Sequence, residues 1–469
     1  MRLSLATLND ARPEVVRPAY DPSTLAVGVV HFGPGAFHRA HQAAVFDTLC
    51  AHDPRWGICG VSLHSAGVRD ALAPQDGLYT LAILDEIISY RIIGAMREVL
   101  VAPENPDAVF ARLDTAGVVT TTVTEKGYCL SVDGTLDFSH PDIVHDLARP
   151  QAPKSLIGYL VEGLRRRRAS HAAPFVLIPC DNLSKNGQRL KTAVVAFAGR
   201  LDAGLAAWIE AGLACPGTMV DSITPATDES LRALAADATG LADAWPIRRE
   251  AFTQWVIERH EHADGPDWEA AGVTLTDNVP AYERAKLRLL NASHSWLAYA
   301  GSLKGYETVA DAIGDAELAQ RVRDLMIKDM VPLLETPAGM DLPGYCDAIL
   351  KRFRNPAIRH LLSQIAWDGS QKLPIRILSS LAEAVERGHD LDRLAAVMAA
   401  WMRFVRMKAR KNEAITDPLG DELAVVGRAM TDQEDDVDLF LKLRAVFPQD
   451  LAADARIVAA LKAAYRGFL

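Results

Sequence analysis

One stretch of the sequence gathers side chains that could move a proton and stabilise an anion. It reads YERAKLRLLNASHSWLAYAG and contains Glu283, Lys286, Asn291 and His294. We take Lys286 as the origin on a helix that turns about 100° per residue. Glu283 then falls at about 60°, His294 at about 80° and Asn291 at about 140°. The spacing predicts that these side chains share one arc of a helix.

Two leucines fall inside the same arc, Leu290 at about 40° and Leu287 at about 100°. A solvated helix face rarely interleaves leucines with Lys, Asn and His so closely, so the pattern is typical of a half-buried pocket wall. The alternative is a surface helix that carries an asparagine and a buried, hydrogen-bonded histidine. The spacing alone leaves both interpretations open.

The residue types predict proton abstraction from a hydroxyl group. A lysine in a partly desolvated site has a lowered pKa and can act as a general base near neutral pH, and Lys286 is the candidate for that role. Asn291 and His294 could donate hydrogen bonds to the oxygen as it becomes an alkoxide. Glu283, one turn before the lysine, could pass the proton to solvent.

A glycine-rich turn near the N-terminus predicts a nucleotide site. The apolar run LAVGVV leads into HFGPGAFHRAHQ, where Gly33 and Gly35 follow a predicted strand. Glycines at such a turn let backbone N–H groups approach a pyrophosphate. We therefore predict that these glycines bind the cofactor together with Ala36 and Phe37, which lead into the next helix. Since His38 stands where a dinucleotide fingerprint has its third glycine, a plain strand-to-helix turn is the alternative.

The fingerprint also expects an acidic residue roughly 20 residues further on, which binds a ribose hydroxyl. The second predicted strand ends in GVSL, and no acid follows it directly, since Asp70 comes seven residues after Leu63. NAD is the expected cofactor, but this departure leaves NADP open, with Arg69 as a possible partner of its 2′-phosphate.

The order of predicted elements is typical of an α/β domain with a mainly parallel sheet. Helical stretches separate the predicted strands, and one antiparallel pair interrupts the pattern. After about residue 281 the strand signals nearly vanish. We predict a Rossmann-like NAD(P)-binding domain over residues 1–280 and a mainly α-helical substrate and catalytic domain over residues 281–469. The predicted strands are 25–32, 56–63, 78–84, 87–94, 117–128 and 175–182.

Composition excludes several classes of protein. The 469 residues carry a formal net charge of −10, which argues against a general nucleic-acid binder. No run approaches the roughly 18–20 apolar residues of a membrane span, and the N-terminus has no apolar signal region. The six cysteines form no C-x-x-C pair and have no zinc-ligand spacing. We expect a cytoplasmic protein with reduced thiols and without a metal site.

Motifs along nearly the whole chain, from about residue 20 to the 460s, resemble those of the mannitol dehydrogenase family of polyol-specific long-chain dehydrogenases. This family includes mannitol 2-dehydrogenase, D-arabinitol dehydrogenases and fructuronate reductase. Seven motifs in one order make the resemblance specific. They read HFGPGAFHRAHQ, PQDGLYTL, TVTEKGYC, CDNLSKNG, MVDSITP, KLRLLNASHSWLAY and DGSQKLP.

The resemblance implies a zinc-independent hydride transfer between nicotinamide and a secondary alcohol of an open-chain sugar derivative. The substrate would be a polyol, a ketose or a uronate, and the protein a monomer or a small homo-oligomer. Lys286 matches the catalytic lysine of the family and Glu283 its proton relay. Asn291 and His294 match the pair that stabilises the oxyanion.

The resemblance also implies substrate-side roles for Asn182, Asp221 and Lys372. From the local sequence alone, Asn182 would be a turn residue and Asp221 a helix cap, whereas Lys372 would be solvated. We expect the active site to lie between the two domains, a common place for such pockets.

Within the family, the substrate is open between two types. Mannitol 2-dehydrogenases carry an arginine where Gln364 stands, and GYETVADAI and APKSLIGYL are more similar to fructuronate reductases. The primary prediction is a dehydrogenase of the mannitol and fructose type. The alternative is a fructuronate reductase, in which Arg376 binds the substrate carboxylate. A more distant alternative is a non-catalytic protein that senses dinucleotides.

Overall fold

The computed structural model describes residues 1–131, 133–260 and 264–468. The chain divides into two compact units, Met1–Pro280 and Ala281–Leu469. Within the described residues, no helix is both long enough and apolar enough to cross a membrane. All six cysteines are free thiols, and every one except the half-buried Cys215 is buried.

The strands that the structure describes lie in the first unit, and most of them are short and rich in β-branched residues. They are β1 (Val27–Phe32), β2 (Gly57–Ser62), β3 (Tyr79–Leu84), β4 (Ser89–Ile93), β5 (Met96–Val101), β6 (Val118–Thr121), β7 (Val176–Pro179), β8 (Thr218–Asp221), β9 (Ile247–Glu250), β10 (Gln254–Glu258) and β11 (Thr274–Thr276).

The central sheet is five-stranded, with the order β5-β2-β1-β6-β7, and all of its pairings are parallel. This order is characteristic of a Rossmann fold, in which the chain starts in the middle, builds one half of the sheet and then returns to build the other. The order of the strands reverses between β1 and β6, and ligands of such sheets bind outside the carboxyl ends of the strands at that point. The predicted α/β class is therefore confirmed.

The predicted antiparallel pair is also confirmed, since β3 and β4 pair antiparallel with Leu81 opposite Arg91. β9 joins them in a second sheet of order β4-β3-β9, and a third sheet has the order β11-β10-β8. The prediction of one long strand over 117–128 was wrong, because β6 ends at Thr121. Thr124 takes a φ of +65°, which no strand accommodates, and Glu125–Tyr128 forms a 3-10 turn.

In the first unit, helices alternate with the strands. The described part of the second unit contains helices and no strand. The first set is α1 (Ala36–Ala40), α2 (Gln42–Cys50), α3 (Gly67–Leu72), α4 (Pro106–Thr115), α5 (Pro141–Ala148), α6 (Leu156–Ala169), α7 (Asn186–Leu201), α8 (Ala203–Gly212) and α9 (Glu229–Thr239). The chain continues with α10 (Val279–Ala285), α11 (Ala292–Leu303), α12 (Val309–Gly314), α13 (Ala316–Asp324), α14 (Leu342–Phe353), α15 (Leu362–Ile365), α16 (Gly369–Leu373), α17 (Ser379–Arg387), α18 (Asp392–Arg410), α19 (Gly420–Ala429), α20 (Asp436–Leu441), α21 (Gln449–Ala453) and α22 (Ala455–Arg466).

The second unit is built around α18, which is buried from Leu394 to Arg406. It packs against α11, α19 and α22. α11 is itself buried from Ala292 to Gly301, so both of its ends are held by the core of the unit. This packing makes α11 a rigid support for the side chains at its N-terminal end.

Candidate active site

Lys286 begins a π-helical turn, Lys286–Asn291, between α10 and α11. Backbone hydrogen bonds in a π turn join residues five apart, so the backbones of Lys286 and Asn291 lie one above the other. The predicted offset of about 140° between them is therefore wrong, since it assumed regular α geometry over this stretch. π turns in helices frequently occur at functional sites.

The burial of this segment contradicts the interpretation as a surface helix. Leu289 and Leu290 are buried, whereas Glu283, Lys286 and Asn291 are each half-buried. Side chains that could do chemistry therefore lie at the edge of the core of this unit, where part of their solvation is removed. Such partial desolvation is what tunes acids and bases for catalysis.

Two arginines fix the backbone of the π turn. Arg288 donates to the carbonyl of Leu333 at 2.8 Å and forms an ion pair with Glu383. Arg376 donates to the carbonyl of Asn291 at 3.3 Å and to the hydroxyl of Ser295 at 3.2 Å. Because the bond from Arg376 goes to the main chain of Asn291, it leaves the amide side chain to interact with other groups.

His294 is 7% exposed, and its Nε2 atom has no hydrogen-bond partner among the described residues. Its ring packs on Phe353 and, edge to face, on His360. Burial lowers the pKa of His294 well below 6.5, and the nearby His360 and arginines lower it further. His294 is therefore neutral near pH 7, and the interpretation as a hydrogen-bonded core histidine is wrong for Nε2.

Lys372 and Arg376 are two cationic side chains four residues apart, about one helical turn. The Nζ atom of Lys372 donates to the carbonyl of Trp367 at 2.6 Å, so the expectation that this lysine is solvated was wrong. Burial lowers the pKa of Lys372, and Arg376 lowers it further. Burial also lowers the pKa of Arg376, and no described carboxylate forms an ion pair with it. Lys372 also lies 4.0 Å from a carboxylate oxygen of Asp368, so Arg376, which contacts the Asn291 carbonyl, is the cation of the pair that has no carboxylate ion pair among the described residues.

In the first unit, the glycine turn takes a backbone shape that only glycine accommodates. Gly33 has a φ of +86°, and a Cβ atom there would lie 2.2 Å from the carbonyl oxygen of Thr122. The close approach occurs between the ends of β1 and β6, where the strand order reverses. Gly35 is exposed, and no atom lies closer than 3.8 Å to the position of an added Cβ. The turn is thus tight at its first glycine and open at its second.

His31, which the sequence analysis did not single out, holds this turn. Its Nε2 atom lies 3.1 Å from the Gly33 carbonyl, and its Nδ1 atom lies 2.7 Å from the Thr120 hydroxyl. A carbonyl only accepts, so Nε2 carries the proton and Nδ1 accepts. Burial lowers the pKa of His31 to about 3, which keeps this tautomer neutral. The available signal was a histidine inside an otherwise apolar strand.

The departure from the dinucleotide fingerprint has a structural reason at His38. The ring of His38 stacks on that of His31, with centroids 3.3 Å apart and planes 11° apart, and both residues are fully buried. In a standard fingerprint the third glycine lets the helix pack closely on the strand. Here a pair of stacked rings makes that helix-to-strand contact instead.

The predicted substrate-side residues of the first unit lie at strand ends. Asn182 is exposed just after β7, and Asp181 beside it accepts hydrogen bonds from the Thr124 N–H and the Tyr128 hydroxyl. Asp221 is buried as the last residue of β8. Its interpretation as a helix cap was wrong, because Asp228 caps α9.

Arg69, the predicted partner of a 2′-phosphate, is engaged by carboxylates of the protein. It forms ion pairs with Asp70 and Glu104. Among the described residues, no group of three or more His, Cys, Asp or Glu side chains is arranged to hold a metal ion.

Comparisons with known proteins cover both units. Residues 27–270 match the Mannitol dehydrogenase Rossmann domain, and residues 278–469 match the Mannitol dehydrogenase C-terminal domain. The D-mannonate oxidoreductase of Escherichia coli (strain K12) is 41% identical over 98% of this chain and 97% of its own length. The mannitol 2-dehydrogenase of Phaeosphaeria nodorum is 40% identical over 96% of this chain and 80% of its own length.

A solved structure extends the likeness to three dimensions. The Pseudomonas fluorescens mannitol 2-dehydrogenase, in a ternary complex with NAD and D-mannitol, has a TM-score of 0.84 and 35% identity over 99% of this chain and 96% of that one. The order of strands and helices described above agrees with these matches. They comprise two family domains, relatives aligned over nearly the whole chain and a solved structure of the same fold. The chain belongs to the mannitol dehydrogenase family and is an oxidoreductase of the dehydrogenase type.

Proposed function

We propose that this protein is an NAD-dependent dehydrogenase that interconverts a secondary alcohol of an acyclic polyol and the matching ketose, as between mannitol and fructose. The observation that carries the proposal is the π turn, which puts Lys286 and Asn291 at its two ends and His294 just beyond it. A half-buried base and two hydrogen-bond donors on one rigid support are what oxidation of an alcohol requires. The names of the relatives supply the polyol class.

The residues of the glycine turn fit a dinucleotide. The clash that a Cβ atom at Gly33 would make shows that the backbone must pass close to its neighbour, and Gly35 leaves open space beside it. Gly33, Gly35, Ala36 and Phe37 are the residues that would hold NAD there. A dinucleotide bound there would supply the acceptor for the hydride of the alcohol carbon.

Lys286 takes the hydroxyl proton of the alcohol through its Nζ atom. Glu283, half-buried on the preceding turn, passes that proton towards solvent. In ketose reduction the same lysine, protonated, donates to the carbonyl oxygen. The mechanism is independent of zinc because a side chain performs both transfers.

Asn291 and His294 stabilise the negative charge that develops on the reacting oxygen. Because burial keeps His294 neutral near pH 7, the ring retains a single N–H, and Nε2 is the atom with no partner of its own. Donors that are fixed before the reaction stabilise the transition state without reorganisation. Asn182, Asp221 and Lys372 bind the other hydroxyl groups and so orient the chain of the substrate.

A fructuronate reductase is the second candidate, and Arg376 favours it. This half-buried guanidinium has no carboxylate partner among the described residues, and it lies beside Lys372. An unpaired arginine near a site is well suited to bind a carboxylate in two-point fashion. The 41% identical relative is a D-mannonate oxidoreductase, which supports the same substrate class.

The two candidates are separated by assaying the purified protein side by side with fructose and fructuronate, each with NADH and with NADPH. Turnover of fructose supports the primary proposal, and turnover of fructuronate alone supports the second. If NADH binds measurably and neither substrate is reduced, nor any other ketose or uronate, both proposals fail and a dinucleotide-sensing role is favoured.

Replacing Arg376 by methionine tests the carboxylate role. If the natural substrate is a uronate, the variant's kcat/KM for the uronate should fall about 10- to 100-fold more than its kcat/KM for a ketose. The reason is that a charge-assisted hydrogen bond to the carboxylate is lost. The comparison of substrates removes any general effect of the lost bond to the Asn291 carbonyl. Arg387→Met is the matched control, since Arg387 pairs with Glu383 and contacts the Pro332 carbonyl. An equal loss for both substrates would contradict a role in carboxylate binding.

Replacing His31 by leucine tests the support of the cofactor turn. The Gly33 carbonyl would lose one of its donors and keep the Thr122 hydroxyl at 2.7 Å. The Kd for NADH should then rise about 5- to 10-fold, which corresponds to about 1 kcal/mol. Titration of NADH fluorescence measures this without turnover. His52→Leu, at an exposed position of the same unit, should leave the Kd unchanged. An unchanged Kd in His31→Leu would show that the turn is held by its other contacts.

A further inference from the structure

The turns that follow three neighbouring strands lie side by side at the carboxyl edge of the central sheet. The N–H of Gly33, after β1, donates to the Val61 carbonyl of β2 at 2.9 Å. The N–H of Ala102, after β5, donates to the Ser62 carbonyl of β2 at 2.8 Å. Sheets of this topology bind the adenosine half of a dinucleotide along this edge.

The turn after β2 supplies no carboxylate, but the turn after β5 does. Residues 63–66 read LHSA, whereas Glu104 lies three positions beyond the end of β5. Its N–H donates to the Val101 carbonyl at 3.0 Å, which ties it to the strand end, and its side chain is 54% exposed. Glu104 is therefore an accessible acid at the same edge of the sheet, but it follows β5, whereas the acid of the fingerprint follows β2.

A cavity of about 350 Å³ is lined in part by residues that are close to Glu104 in the sequence. Leu63 and His64 line it after β2, and Pro103 and Pro106 line it on either side of Glu104 in the sequence. Ligand pockets are mostly apolar with a few polar groups that fix orientation. Apolar side chains form most of the wall, and the volume leaves room for a purine ring. The polar residues of the lining are His64, Asp142, His145 and Lys154.

Arg69 is neutralised at this same place. Its Nε and Nη2 atoms contact Asp70 at 2.9 and 2.8 Å, and its Nη1 atom pairs with Glu104. All three guanidinium nitrogens thus face carboxylates, and one positive charge is set against two negative ones. A phosphate dianion that approached Arg69 would meet a net negative cluster.

We propose that the cluster of Glu104, Arg69 and Asp70 makes this enzyme select NAD over NADP. Glu104 accepts a hydrogen bond from the 2′-hydroxyl of the adenosine ribose and so replaces the acid that is missing after β2. The cluster repels a 2′-phosphate, and the two carboxylates prevent Arg69 from binding it. This inference rests on the proposed nicotinamide-dependent function.

The test is the double variant Glu104→Gln/Asp70→Asn, which keeps the shape of both side chains and releases Arg69. We expect kcat/KM with NADPH to rise at least about tenfold and kcat/KM with NADH to fall a few-fold, because a carboxylate accepts more strongly than an amide. Adding Arg69→Ala to the double variant should abolish the gain with NADPH. A cofactor ratio that moves less than about twofold, or a gain that persists without Arg69, would overturn the proposal.

A matched control is available at the other end of β2. The half-buried Asp53 forms an ion pair with the exposed Arg55 at 2.7 Å just before that strand, so Asp53→Asn should leave the cofactor ratio unchanged. Dissociation constants for NADH and NADPH, measured by fluorescence, provide a second readout that needs no substrate. If no ketose or uronate is turned over, the proposed function fails, while the ratio of dissociation constants still decides whether the cluster discriminates.

Discussion

Replacing Lys286 by methionine is expected to lower kcat in both directions by about 10³- to 10⁴-fold, a loss of about 4–5.5 kcal/mol in transition-state stabilisation. The lysine is the group proposed to accept the hydroxyl proton in oxidation and to return it in reduction. Methionine keeps the unbranched apolar stem and a good helix propensity, so the π turn should retain its packing.

Three measurements separate a catalytic loss from a structural one. The melting temperature and the Kd for NADH should stay close to the wild-type values in Lys286→Met. The rise of the oxidation rate with pH should vanish with the base, because only a deprotonated lysine accepts the proton. Arg284→Met is the control, since Arg284 is exposed two residues earlier and pairs with Glu335. Normal turnover in Lys286→Met would refute the assignment of the base.

The fold could be predicted well where the hydrophobic pattern is strong. β1, β2 and β7 are mainly apolar runs bounded by turn residues, and the long helical patterns after residue 281 leave little choice of structure. β5 and β8–β11 were not predicted. β8–β11 are short, and charged or polar residues interrupt several of these strands, as in MREVLV of β5 and IRRE of β9. Their structure depends on pairing with distant strands, which a local pattern does not contain.

For the candidate site, too, one part could be predicted from the sequence and another could not. The residue types and order of Glu283, Lys286, Asn291 and His294 pointed to proton transfer, but regular helix geometry misplaced Asn291. A π turn leaves no simple mark in sequence, because it is stabilised by tertiary contacts such as the bond from Arg376 to the Asn291 carbonyl. The consequence is functional, since the wider turn stacks the backbones of the proposed base and one oxyanion donor.

The dinucleotide fingerprint lacks its third glycine and its acid in this sequence, and the contacts that compensate for them are visible only in three dimensions. His38 could be understood only once its ring was seen against that of His31, seven residues earlier on β1. Glu104 follows a different strand, β5, from the one that normally supplies the acid, and the pairing of β5 with β2 brings it to Arg69. In both cases the compensating contact is made in space, by a residue other than the one at the position that departs from the motif.

The second large effect is expected for Asn291→Leu, in which kcat should fall about 10²- to 10³-fold, as for removal of one oxyanion donor. The bonds from Arg376 and Ser295 go to the main-chain carbonyl of residue 291, so the substitution leaves them in place. Leucine also has the higher helix propensity, so the turn should remain folded. The Kd for NADH should therefore change little, because the lost bond acts mainly in the transition state.

Ser293→Ala is the matched control for this variant. Ser293 is two residues away on α11 and fully buried, and its hydroxyl has no partner among the described residues. Removing such a group should be neutral for kcat and neutral or favourable for stability. If Asn291 and His294 bind one oxygen, the double variant Asn291→Leu/His294→Leu should lose less than the product of the two single losses. Strictly multiplicative losses would mean that the two side chains act on different atoms, and full activity of Asn291→Leu would remove the amide from the mechanism.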